Sequence, residues 1–128
     1  MNRDIYRIEH MLEAIRKAKN SVSGLSLEQF LASEDKMAAA ERYVTIVGEA
    51  ANMVSDETKA KYPNVPWREA ADMRNFVMHE YMKVDDTVVW EAIKNDFPEM
   101  ERMLLDIRSA FPWSIECPPS TSQPETMI

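Results

Sequence analysis

The sequence predicts an all-α domain, and three observations carry that expectation. Only two glycines occur in 128 residues, too few for a fold rich in loops. Ala, Leu, Met, Glu and Lys, the residues that lose least on entering a helix, are common. Apolar residues also recur at alternating steps of three and four, the period of helices with one buried face.

The first stripe is Ile5, Ile8, Leu12 and Ile15 within residues 2–20, and Arg16, Lys17 and Lys19 suit the negative end of that helix. Ser26-Leu27-Glu28-Gln29 has the form of a capping box, so a short helix is expected over 27–32. Residues 35–55 form the most apolar helix. Met37, Ala40, Val44, Val47, Ala51 and Val54 make one stripe, with Tyr43, Ile46, Ala50 and Met53 a second beside it. So wide an apolar surface suits a central helix packed on several neighbours, or one shared between core and dimer interface.

Asp56-Glu57-Thr58-Lys59 opens a one-turn helix. Pro63 breaks the path, and Pro66 fits the first position of the next helix, expected to run to about residue 80. Trp67, Ala70, Met73 and Val77 should make its buried side, with Phe76 at the edge. After a turn at Lys83-Val84-Asp85-Asp86, with Asp86 as N-cap, helix resumes through Val88, Val89, Trp90, Ala92 and Ile93. Pro98 restricts Phe97, so a break is expected at Asp96-Phe97-Pro98-Glu99, with Asp96 and Glu99 spaced for a capped restart. Phe97, Met100, Leu104, Ile107 and Phe111 form the last stripe. Residues 112–128 turn to Pro, Ser and Thr without periodicity, a flexible tail behind a domain of residues 1–111.

A chain of this length fits one domain that buries about two-thirds of its unfolded surface. Cys117 is the single cysteine and cannot form an intrachain disulfide, which points to a reducing cytoplasm. Arg3, Asp4 and Arg7 precede any apolar run, arguing against a secretory signal. No stretch approaches the ~18 apolar residues that cross a bilayer. The expectation is a cytoplasmic protein without membrane contact. A net charge of −7 excludes a generally basic nucleic-acid-binding surface; any such surface must be local, with Arg68, Arg74 and Lys83 as contributors.

The remaining chemistry narrows quickly. Gly24 and Gly48 are isolated, so no glycine-rich phosphate loop exists. His10, His79 and Cys117 lie too far apart in sequence for a zinc motif, and neither metal nor cofactor is expected. The carboxylates show no spacing beyond that of helix-surface salt bridges, and the ten methionines fall mostly on core stripes. His10 reads as an ordinary surface or boundary residue. What stands out is Met73-Arg74-Asn75-Phe76-Val77-Met78-His79-Glu80-Tyr81. Arg74 and Tyr81 share a helix face, whereas Arg74 and His79 point about 140° apart on a straight helix. Either the helix ends near Glu80, or the long arginine wraps round, or a second subunit completes the site. The same residues also suit a helix C-terminus in which His79 meets the last carbonyls and Tyr81 packs on the core. Glu49 has two readings: it holds Arg74 by a charge-assisted pair, or it is simply solvated.

The pattern R-x-x-x-x-H-x-Y formed by Arg74, His79 and Tyr81 does not stand alone. Pro63-Asn64-Val65-Pro66-Trp67-Arg68-Glu69 precedes it, Val89-Trp90-Glu91 follows it, and Ile46-Val47-Gly48-Glu49-Ala50-Ala51 comes earlier. Together these resemble the HepT-like branch of the HEPN superfamily, over roughly residues 1–111. The resemblance implies a HEPN-type up-and-down helical bundle with short extra helices. It implies a homodimeric, metal-independent endoribonuclease, the toxin of a type VII-like toxin–antitoxin system with a nucleotidyltransferase antitoxin as partner. It further implies that this partner attaches AMP to Tyr81.

Metal-free RNA cleavage needs a base for the ribose 2′-hydroxyl and a cation for the charge building on phosphorus. His79 suits the first, because an imidazole titrates near 6.5. Arg74 suits the second, because its planar fork matches phosphate oxygens. Asn75 could orient either group or the phosphate. Each chain offers one motif histidine, so a two-fold dimer would supply acid and base together. Glu80 would raise the histidine's pKa if it turned inward. A bulky anion on Tyr81 would block the site. A reading of another class is a non-catalytic helical partner that docks a nucleotidyltransferase, with Arg74 and His79 binding a nucleotide. The acidic charge favours that alternative.

Overall fold

A computed structural model describes residues 3–79 and 84–110 of the chain. Tyr81, Lys83, Phe111, Cys117 and the expected tail lie outside the described residues. Within them every regular element is helical: α1 (Arg3–Val22), α2 (Leu27–Leu31), α3 (Glu34–Met53), α4 (Asp56–Lys61), α5 (Trp67–His79), α6 (Asp86–Glu91) and α7 (Phe97–Ala110). A π-helical turn, Ala92–Asp96, joins α6 to α7.

The long helices alternate in direction. Asp4 of α1 meets Ser55 just beyond α3, whereas Lys17 and Ala39 line one cleft at the other end of the pair. Lys19 pairs with Glu101, and Glu9 with Arg108 at 3.2 Å, which sets α7 antiparallel to α1. α3 is the central helix, packed against both α1 and α5, as its two apolar stripes require. Ala40, Val44, Val47, Ala51 and Val54 of its first stripe are buried, and they meet Ile8, Met11 and Ile15 of α1 in one core. Its second stripe divides: Ala50 is buried, Tyr43 and Ile46 are partly so, and Met53 is exposed. α2 and α6 close one end of the bundle, where the Phe30 and Trp90 rings pack at a 43° tilt with centroids 5.1 Å apart.

Element boundaries follow from local chemistry. Ser26 and Gln29 form the expected reciprocal capping box of α2. Ser33 and Ser55 cap α3 and α4 through their hydroxyls. α1 stops at Gly24, whose φ of +80° is a left-handed conformation that favours glycine.

Three local expectations are corrected. Pro66 precedes α5 rather than opening it, its carbonyl accepting from the Ala70 amide at 3.1 Å. The N-cap of α6 is Asp85, whose carboxylate accepts from the Thr87 amide at 3.0 Å, and Asp86 is the first helical residue. At Pro98 the chain does not break. Phe97 is α-helical at φ −66° and ψ −38°, and its amide bonds back to the Ala92 carbonyl. The wider π turn gives the proline ring room that a tight α turn denies it, so helix carries straight on into α7.

Candidate functional site

The site grows from the crossing of α3 and α5. A Cβ built on Gly48 would stand 2.3 Å from Arg74 Cβ and 2.5 Å from the Ala70 carbonyl oxygen. Both contacts are too short for any other residue, so glycine lets the helices touch. The stem of Arg74 therefore lies across α3, and its head emerges beside Glu49, the neighbour of Gly48.

Two side chains hold that head. Arg74 Nη2 lies 3.5 Å from Glu49 Oε2, and Nη1 donates to Asn75 Oδ1 at 2.8 Å. Among the described residues Nε is buried with no hydrogen-bond partner, so the hydrogen bonding of this guanidinium is concentrated at its outer edge. The Arg74 side chain is 31% exposed and that of Glu49 51%. A guanidinium fixed on one side and open on another can still present donors to an anion.

Asn75 also lines a shallow cleft of about 570 Å³ together with Asn52, Lys59 and Arg68, with Glu69 and Asp72 on the same wall as Arg68 along α5. Among the described residues Lys59 reaches only the Asn52 carbonyl, at 3.5 Å, and the highly exposed Arg68 has Asp72 no nearer than 4.0 Å. Two weakly engaged cations thus lie along a path beside Asn75. Sequence inspection marks Arg68 but misses Lys59 and Asn52, because no spacing joins them to the motif; the fold does.

His79 is the last residue of α5, five positions beyond Arg74. Tyr81 and Lys83 are outside the described residues. Met53 and Met78 are 57% and 48% exposed, and each lies one helical turn beyond Glu49 and Arg74 respectively, on the same faces. His10 stands apart, on a cleft of about 500 Å³ between α1 and α3 with Lys17 and Arg42. Among the described residues no three His, Cys, Asp or Glu side chains gather as a metal-ligand group, and no helix is long and apolar enough to cross a membrane.

Two further carboxyl arrangements have no counterpart in the sequence motifs. Burial, then a hydrogen bond and repulsion from Asp86, push Glu41 up to about 7. Glu41 faces Asp86 where α6 starts against α3, and among the described residues Asp86 Oδ1 is buried without a hydrogen-bond partner. Asp4 behaves oppositely. Burial alone would raise its pKa, but hydrogen bonds from the Ser55 hydroxyl, the Thr58 hydroxyl and the Ser55 amide outweigh that and hold it below the ordinary carboxylate value. Asp4 thereby ties the start of α1 to the α3–α4 junction.

The fold and site define a class: an all-α bundle with a surface arginine clamped by a carboxylate and a carboxamide on one side of a helix crossing. The chain belongs to the HepT-like ribonuclease family of the HEPN superfamily, matching the family model described as "Ribonuclease HepT-like" over residues 11–107. It is 34% identical over 100 residues, 78% of this chain and 89% of the relative, to a protein of Caldanaerobacter subterraneus subsp. tengcongensis named "Putative RNase". A "Probable ribonuclease HepT" of Thermococcus cleftensis is 33% identical over 94 residues, 73% of this chain and 86% of that one. A Methanocaldococcus jannaschii protein, also named an RNase of this kind, is 32% identical over 95 residues, 74% of this chain and 75% of that one. No solved structure matches the chain. The described helices make the bundle a HEPN-type one, as the resemblance implied.

Proposed function

We propose that this protein is an endoribonuclease of the toxin type, cutting RNA through its own 2′-hydroxyl without a metal ion. The observation that carries the reading is the clamped, half-open Arg74 on the helix that ends at His79, in a chain whose relatives are named as ribonucleases. His79 takes the 2′-hydroxyl proton, and the 2′-oxygen attacks phosphorus. Arg74 binds the non-bridging oxygens as negative charge grows there. A proton delivered to the departing 5′-oxygen completes the step and leaves a 2′,3′-cyclic phosphate. His79 of a second copy is the natural source of that proton. Lys59, Arg68 and Asn75 supply a local path for the RNA backbone in an otherwise acidic protein.

The working unit in this reading is a cytoplasmic homodimer joined on the Arg74 face, where Met53 and Met78 leave apolar surface uncovered. Its antitoxin is a nucleotidyltransferase that attaches AMP to Tyr81, two residues past His79. The added phosphate competes for Arg74 and bars the RNA. Incubation of unmodified protein with total RNA, with and without chelator, tests the reaction. Cyclic-phosphate ends are expected in both; activity lost in chelator and restored by metal would overturn the mechanism. The net charge of −7 favours one competing reading, a non-catalytic nucleotide-binding partner of the transferase. Growth arrest on expressing this chain alone separates the two, since only the toxin causes it.

A further inference from the structure

Between α5 and the α6–α7 arm runs a groove of about 760 Å³ that no described residue covers. Val44 and Val47 of α3 form its floor, Met73 and Phe76 one wall, Met100 and Met103 the other. Val44, Val47 and Met100 are core residues, so the groove opens directly onto the hydrophobic core. Side chains in that position lose packing on one side unless apolar matter fills the space. Glu69, Asp72, Asp96 and Glu99 also line it with no lysine or arginine among its described residues to offset them, so unlike the Lys59–Arg68 cleft it repels phosphate. Neither Arg74 nor Glu49 lines the groove, so a dimer formed on their face leaves it free.

The groove leads to the point where the chain leaves α7. It shares Asn64 and Met103 with a second hollow of about 430 Å³, and that hollow is bordered by Ala110, the last residue of α7. The sequence then continues Phe111-Pro112-Trp113-Ser114-Ile115-Glu116-Cys117. Pro112 disfavours further helix at Phe111. Phe111, Trp113 and Ile115 occupy alternate positions, the pattern of an extended segment with one apolar face. Residues 111–115 carry no charge, as an acid-lined apolar groove requires.

We propose that residues 111–115 lie back along α7 and fill this groove, setting Trp113 and Ile115 against Met103, Met100 and Met73. The reach is sufficient. An extended chain advances ~3.3 Å per residue against ~1.5 Å for a helix, so five residues beyond Ala110 return to about the level of Met100. Methionine walls adapt to an inserted aromatic ring better than branched ones. The family match ends at residue 107, so this segment lies beyond the matched region.

Cys117, the only cysteine, provides the test in the full-length protein. A nitroxide placed on it should erase the methyl NMR signals of Met73, Met100 and Met103 while sparing Met53 on the opposite face. The double variant Trp113→Ser, Ile115→Ser should restore those signals with circular dichroism unchanged. Retention of the groove signals in the spin-labelled parent, or their loss in the double variant, would overturn the proposal. So would broadening of Met53 instead. A second sample mixes isotope-labelled, nitroxide-free chains with spin-labelled, isotope-free ones. Broadening seen there, and absent within a single chain, would assign the groove to another copy's segment and equally defeat the idea.

Discussion

Arg74 is held by its stem as much as by its charge, and that separates two substitutions at one position. Arg74→Ala should reduce RNA cleavage by ~100-fold or more, the usual loss when a donor to a developing oxyanion is removed. Arg74→Lys keeps the charge and most of the stem but loses the fork that spans Glu49 and Asn75. Cleavage should still fall, with the fold intact by circular dichroism; a lysine variant as active as the parent would show that the clamp is irrelevant. Glu49→Gln should change stability by less than about 1 kcal/mol, because the ion pair is half exposed. His79→Ala should abolish cleavage without unfolding the chain, as single-turnover assays would reveal. The residues of this motif were legible because a guanidinium, a carboxamide and an imidazole crowd one short stretch. Their clamp was only half legible. Glu49 could be suspected of reaching Arg74, but that Gly48 is what lets Arg74 arrive there depends on two helices crossing, which no local pattern encodes.

Between elements, the crossing of α3 and α5 makes a sharp forecast. In a helix interior, Gly→Ala normally stabilises by ~0.5–1 kcal/mol. At Gly48 the added methyl meets Arg74 Cβ and the Ala70 carbonyl, so Gly48→Ala should instead destabilise by about 1–3 kcal/mol, read as a lower urea midpoint. The carboxyl pair at the start of α6 gives a pH-dependent case. Glu41 is raised from 4.5 to about 7, so between those values the folded chain holds more protons than the unfolded one, and stability falls as pH rises. Glu41→Gln removes that titration, so it should gain on the parent across the same window, by about 1 kcal/mol after screening, and lose the advantage below pH ~4.5. Asp4 has the opposite sign. Its depressed pKa gives stability that is present above the ordinary carboxylate value and lost as pH falls through the folded one. Asp4→Ala should therefore cost about 1–3 kcal/mol near neutrality and progressively less in acid. The caps at Ser33 and Ser55 emerge only with the fold, whereas helix periods and the Ser26 capping box were readable because their causes lie within four residues. The Asp4–Ser55 tie joins distant positions and was not. Pro98 misled for a different reason: it marks a disturbance in the helix, but whether the chain breaks or widens into a π turn is decided by the packing of Ile93 and Phe97 in the core.

For the whole molecule, the question is how many chains make one active cleft. The pattern of the sequence spoke to this only indirectly, through the two apolar stripes of α3; the fold packs most of them against α1 and α5, and what stays exposed is Met53 at the end of the second stripe and Met78 one turn beyond Arg74. A dimer built there should bury at least ~1,200 Å² in total to persist in dilute solution, which light scattering can check. Stoichiometry alone leaves open whether the two chains share chemistry. If the acid and the base are the two copies of His79, a dimer with one His79→Ala chain is as dead as one with two. Purified parent and His79→Ala chains are therefore mixed at a constant total, unfolded together and refolded, so that subunits assort at random. With a shared cleft only parent homodimers cut, and activity follows the square of the parent fraction: an equal mixture retains about a quarter of the parent rate. With self-contained clefts each parent chain acts alone, and the same mixture retains about half. A straight line through the titration would rule out the paired histidines, and leave the 5′-oxygen to take its proton from a group on the same chain.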